Sequence, residues 1–227
     1  MKQRTTTRLV AGVLLLVLAV SAWAADVVID DWKTQKLGAH GVPDGWLGGQ
    51  TWGLPQYDMT IEENEGHRVL HLKSKIESSA VRRDIRGRVN LKETPILEWS
   101  WKAITLPKNG DCRKKATDDQ AAQLYLVWPR FPEAVRSQII GYIWDSTAPA
   151  GSIVKSEKTS TVTYVVMRSG AADLGKWITE RRNVLEDYKK IYGAQPDNPG
   201  YISIAIDSDD TVSSAESVFG AILFRAP

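Results

Sequence analysis

Residues Tyr201–Phe224 read YISIAIDSDDTVSSAESVFGAILF. Ile202, Ile204 and Ile206 alternate with Tyr201, Ser203 and Ala205, the period of a half-buried strand. Asp207-Ser208-Asp209-Asp210-Thr211 then places three carboxylates within four residues. Val218, Gly220, Ile222 and Phe224 alternate again. The stretch predicts strand, acidic loop, strand: a terminal hairpin that closes a sheet, with the densest acid cluster of the chain at its tip.

The same alternation recurs upstream. Val27–Trp32, Tyr57–Glu62, Arg68–Ser74, Ser78–Ile85, Pro95–Ile104, Ala121–Trp128, Gln138–Trp144 and Thr159–Arg168 all read as strands, rich in β-branched and aromatic residues. Glu63-Asn64-Glu65-Gly66 is a turn between the second and third of these. One segment has helical period. In Val184–Tyr192 the residues Val184, Tyr188, Ile191 and Tyr192 share a face, Asn183 and Glu186 have capping-box spacing, and Gly193 ends the run. Short strands broken by turn signals, with no strand–helix alternation, predict an all-β fold. The expected form is an antiparallel β-sandwich of jelly-roll type with one short helix near the C-terminal third.

The N-terminus reads as a targeting segment. Lys2, Arg4 and Arg8 precede an apolar run, Leu9–Val20, which is too short to favour a membrane span. Ala22 and Ala24 then fit a signal-peptidase site. Residues 1–24 are expected to be a cleaved signal peptide and residues 25–227 a single β-sandwich domain. Export to the periplasm or beyond follows, by a Gram-negative-type route, with no transmembrane segment after cleavage. Removing three basic residues from 29, against 27 acidic, leaves a net charge of −1. A near-neutral body gives no electrostatic reason to bind nucleic acid. Cys112 is the single cysteine, so an internal disulfide is impossible; a tolerated loop thiol is expected at this polar position.

Several strings together resemble a family of secreted bacterial proteins known only as a domain of unknown function. They are Thr117-Asp118-Asp119-Gln120-Ala121-Ala122 leading into Leu124-Tyr125-Leu126-Val127, then Tyr142-Ile143-Trp144 and Val165-Val166-Met167-Arg168-Ser169-Gly170. Gly175-Lys176-Trp177, Glu180-Arg181-Arg182-Asn183-Val184, Asp187-Tyr188 and the Asp207–Thr211 loop complete the set. The resemblance implies no activity and no catalytic residues. Asp30-Asp31-Trp32 and Gly45-Trp46 are similar, more loosely, to galactose-binding-like carbohydrate-binding sandwiches.

Candidate chemistry concentrates in acids and tryptophans. Asp207, Asp209 and Asp210 offer oxygen ligands for Ca²⁺, or cap the turn through backbone amides. Asp118 and Asp119 are adjacent on an extended chain, so at most one of them faces a given site. Facing Asp207 or Asp209, one would form a carboxylate pair of the glycosidase sort, about 5–9.5 Å apart. Trp128 and Trp144 at strand ends, and Trp46 and Trp52 in the glycine-rich loop 38–53, are candidate sugar-stacking rings. Trp99, Trp101 and Trp177 read as packing. The expected ligand-binding set is Asp118, Asp119, Trp128, Trp144, Arg168, Asp207, Asp209 and Asp210. His40, His67 and His71 form no metal motif, and no nucleophile, phosphate-loop or dinucleotide fingerprint occurs. The sequence therefore predicts a monomeric, non-enzymatic envelope module that binds a carbohydrate or other envelope ligand. A carboxylate-based glycan hydrolase or lyase is the alternative, and a protein-interaction module a third reading.

Overall fold

The computed structural model describes residues 25–48 and 56–227. The signal-peptide expectation and Trp52 lie outside them. Thirteen strands follow in order among the described residues: β1 (Val27–Asp30), β2 (Leu47–Gly48), β3 (Met59–Asn64), β4 (His67–Lys75), β5 (Ser78–Asp84), β6 (Ile96–Thr105), β7 (Ala122–Trp128), β8 (Gln138–Asp145), β9 (Ile153–Lys155), β10 (Val162–Ser169), β11 (Ile178–Asn183), β12 (Tyr201–Asp207) and β13 (Ser214–Arg225). Two α-helices, α1 (Glu133–Arg136) and α2 (Val184–Tyr192), and one 3-10 turn (Lys115–Thr117) complete the list.

The strands form two sheets that share one core. The first has the order β11-β6-β13-β4-β3, with β1 also paired to β13; the second has the order β2-β5-β12-β7-β8-β10-β9. Ile202, Ile204, Leu124, Leu126, Tyr142 and Trp144 of the second sheet meet Leu97, Trp99, Trp101, Phe219, Ile222 and Phe224 of the first. The expected antiparallel sandwich is what forms, with one exception: β10 runs parallel to β8. The chain makes that return through β9, a short edge strand for which the sequence carries no expectation above.

The opening stretch forms its two strands but not a hairpin. β12 lies between β5 and β7 in the second sheet, and β13 lies between β6 and β4 in the first. Each strand needs a partner on both sides and an apolar face opposite, and each finds these in a different sheet. The acidic segment 208–213 is therefore a crossover between sheets, tied at both ends to central strands. Its Val212 has φ 49°, a left-handed backbone that costs a β-branched residue energy.

The outer face of the second sheet is also covered. Ala80, Tyr125, Ile143, Tyr164 and Ala205 pack against Cys112 and Ala148 from the flanking loops. β7, β8 and β10 are thus buried on both faces, which explains their near-continuous apolar runs. Cys112 lies in a loop, as expected, but its thiol is buried. It is 1 % exposed, and burial together with the nearby Asp145 carboxylate pushes its pKa far up, which leaves it inert.

Helix α2 has the expected bounds and caps: Asn183 Oδ1 accepts from the Leu185 and Glu186 amides, and Gly193 closes it at φ 70°. It is locked down by Asp187, which accepts from the Tyr142 hydroxyl at 2.9 Å and pairs with Arg182. The four-residue α1 is a second helix the sequence reading did not foresee.

Candidate functional site

The crossover and the loop before β7 bring three acids together. Asp207 ends β12, and its amide donates to the Gln120 carbonyl at 3.1 Å, stitching the two segments. Asp119 is fully buried; its Oδ1 accepts from the Asp210 amide at 3.2 Å and its Oδ2 from the Thr211 amide at 2.6 Å. Those bonds hold the crossover in the shape that turns Asp209 back toward Asp207. One oxygen each from Asp119, Asp207 and Asp209 lies within 4.8 Å of the other two. Oδ1 of Asp207 and Oδ1 of Asp209 are shielded from solvent and have no donor.

Acceptors facing acceptors require a proton or a cation between them. Burial, then the neighbouring Asp209 and Asp119, pushes the Asp207 carboxyl up to about 10, while the hydrogen bond it gives holds Asp209 below its ordinary value. One proton shared by Asp207 and Asp209 satisfies the pair in the metal-free protein. A hard cation would satisfy it equally, with carboxylate oxygens as its natural ligands.

The set differs from the one expected. Asp210 does not join it; its carboxylate pairs with Lys158, which also lies 3.9 Å from Asp209. Asp118 does not join it either: it closes the 3-10 turn 115–117 at φ −79° and ψ 60°, off the extended backbone the sequence suggested, and its side chain takes other partners. Its oxygens accept from Gln120 Nε2 at 2.9 Å, Tyr164 hydroxyl at 3.1 Å and Ser156 Oγ at 3.2 Å, and burial raises its pKa to about 6. The carboxylate pair of the glycosidase reading is therefore not present as imagined: Asp118 is consumed by its own hydrogen bonds, and Asp119 closes onto Asp207 and Asp209.

Four further candidates are corrected. Trp128 and Trp144 are 0 % exposed, so neither ring offers a face to a sugar. Their indole N–H groups donate to the carbonyls of Asp197 and Gly170. Both lie on the face that alternation turns toward the first sheet, with Leu124 and Leu126 of β7 and Ile140 and Tyr142 of β8. Trp46 is likewise buried, stacked 5.6 Å from Trp32. Arg168 pairs with Glu180 at 2.7 Å and Asp173 at 3.8 Å rather than with any of the candidate acids.

A second feature lies on the outer face of the first sheet. There the β3–β4 hairpin tip reaches across the sheet, and Asn64 Oδ1 accepts from Trp177 Nε1 at 3.2 Å. Between tip and sheet is a cleft of about 650 Å³. Ser100, Thr179, Gly220 and Ala221 line it with small side chains, and Trp177 and Arg68 line it with large ones. Gly220 has a steric reason: a Cβ there would lie 2.2 Å from Ser100 Oγ and 3.5 Å from Trp177 Cζ3. Trp177 is half-buried and held in place. Lys102 Nζ sits 5.1 Å from its ring centroid, bonded in turn to Asn64 at 2.7 Å and Glu65 at 2.9 Å.

Sequence reasoning assigned Trp177 to packing and did not find the cleft. Its lining comes from segments between Asp31 and Ala221, with no local string that marks it. Its one local signal is the alternation Trp177-Ile178-Thr179, which puts Trp177 and Thr179 on the same face.

Residues 44–223 match a family described as protein of unknown function, DUF3047. The chain belongs to this family. No curated protein matches it. Solved structures similar to it include the xyloglucanase domain of NopAA from Sinorhizobium fredii, 11% identical with TM-score 0.44, over 84% of this chain and 98% of that one. The carbohydrate-binding module TmCBM27, studied for mannan recognition, is 12% identical with TM-score 0.39, over 90% and 99%. The xylan-binding CBM22-1 domain of Paenibacillus barcinonensis Xyn10C is 13% identical with TM-score 0.38, over 84% and 96%. A likeness this distant carries no inference about ligand or chemistry.

Proposed function

We propose that this DUF3047 protein is an exported, non-enzymatic module of the cell envelope that binds a glycan in the cleft of its first sheet. Trp177 carries the reading. A half-exposed indole, fixed by Asn64 and Lys102, stands among hydroxyl and charged side chains in a cleft large enough for more than a monosaccharide. An apolar ring face with polar groups around it suits a sugar, whose faces are apolar and whose rim is hydroxylated. The fixed ring adds affinity because little order is lost on binding. Affinity electrophoresis against a panel of soluble polysaccharides tests it: the native protein should be retarded by at least one, and Trp177→Ala should not. Unchanged retardation of Trp177→Ala, or none by any glycan, refutes the reading. The export component predicts an intact mass that begins at Ala25.

The acid cluster supports a second, separable component: a bound divalent cation of the calcium type, held by Asp119, Asp207 and Asp209. Its specific support is the pair of shielded, donorless oxygens on Asp207 and Asp209. Melting in EDTA and in millimolar CaCl₂ tests it, and coincident curves reject it.

A further inference from the structure

Most charges around the cleft are neutralised by partners of their own. Lys33 lies 3.1 Å from Asp31, and Glu65 lies 2.9 Å from Lys102. Arg68 is different. The residue is half-buried, and its Nη1 donates to the Gln35 carbonyl at 2.6 Å. No carboxylate among the described residues comes within ion-pairing distance of it. Glu63, directly across from it in the β3–β4 register, is exposed and also outside that distance. The carbonyl bond anchors one nitrogen of the guanidinium and leaves its other N–H donors without a partner among the described residues, and such a planar fork matches a carboxylate in two parallel bonds.

We propose that the glycan of this cleft is an acidic one, carrying a uronic acid whose carboxylate is held by Arg68 while the chain packs on Trp177. This rests on the glycan-binding reading above and deepens it. Asp31 and Glu65 do not oppose the ligand's charge, because Lys33 and Lys102 offset them. Glu63 does oppose it, and sets how tightly the acid is held.

The test is a glycan array of neutral and uronate-bearing chains, followed by titration calorimetry on the strongest binder. The strongest binders should carry uronic acid, and methyl esterification of that acid should weaken binding about tenfold or more, as the loss of a charge-assisted hydrogen bond does. Arg68→Gln should abolish the preference for acid over ester without moving the melting temperature, whereas Trp177→Ala should remove binding to both. Glu63→Gln should strengthen binding of the acid form. Neutral glycans as the strongest binders, with Arg68→Gln unchanged, would overturn the proposal yet leave glycan binding standing. No glycan bound at all would overturn both.

Discussion

The acid cluster and the cleft sit on opposite sheets and solve opposite problems. At the cluster, like charges are folded inward and answered by the protein's own amides, by Lys158 and by a shared proton. At the cleft, Trp177 and Arg68 are fixed from behind and left available in front. A dense run of acids in the sequence thus marks a place where the fold is tied together. The surface suited to an organic ligand is built from scattered residues that a local reading assigns to packing or solvent. Density of charge and readiness to bind are different properties.

The largest expected effect separates the two kinds of tryptophan. Trp144→Ala should destabilise the protein by about 3–5 kcal/mol, because it opens a cavity among Trp101 and its neighbours. Trp177→Ala should leave thermal unfolding within about 1 kcal/mol of native while removing binding. Equal destabilisation by both would erase the distinction drawn here between core ring and cleft ring.

Calcium comes next in size. At a hundredfold excess over Kd, a cation bound only by the folded state adds about 2.7 kcal/mol. Asp209→Asn should lose most of that gain, and Asp210→Asn much less, since Asp210 serves Lys158 instead. Equal losses would return Asp210 to the ligand set.

The cluster also sets a pH dependence for the metal-free protein. Asp207 has a folded pKa of about 10, above the ordinary carboxylate value, so it is protonated when folded and ionised when unfolded between those limits. Its contribution is fully present below about pH 4 and is lost as pH rises toward about 10. Asp118 acts in the same sense over the narrower window from about 4 to 6. Asp207→Asn mimics the protonated acid and should flatten the wider slope, as read by urea unfolding in EDTA from pH 5 to 9. A slope that persists in Asp207→Asn would assign the titration elsewhere.

Val212→Gly should have the smallest effect. Relief of the left-handed backbone is worth about 1–2 kcal/mol, and the added freedom of glycine in the unfolded chain takes back about 0.4–1. A small net gain in melting temperature is expected, with glycan binding unchanged. A loss of binding would connect the crossover to the cleft, which the separation of the two sites does not foresee.

Much of this architecture was legible in the sequence because it rests on short-range physics. Alternation located eight of the strands upstream of Tyr201, and the Asn183 cap with Gly193 bounded α2. What was not legible depends on partners far away in the chain. Nothing within Tyr201–Phe224 says that β12 and β13 join different sheets; that follows from β5, β7, β4 and β6 claiming their edges. Trp128 and Trp144 looked like rim residues because each ends a strand, yet both strands are central and their ends are roofed by the loop carbonyls of Asp197 and Gly170. The cluster was half visible: Asp207 and Asp209 form one string, but Asp119 enters only because β7 pairs with β12.

The most direct test of the central claim is calorimetric titration of the strongest-binding polysaccharide into native protein and Trp177→Ala, with melting curves on the same samples. The account predicts that the variant melts with the native protein and loses at least about tenfold in affinity, the size of effect expected when an aromatic anchor is removed from a site. Native affinity in a variant that melts normally would place the ligand somewhere other than the cleft and contradict the account.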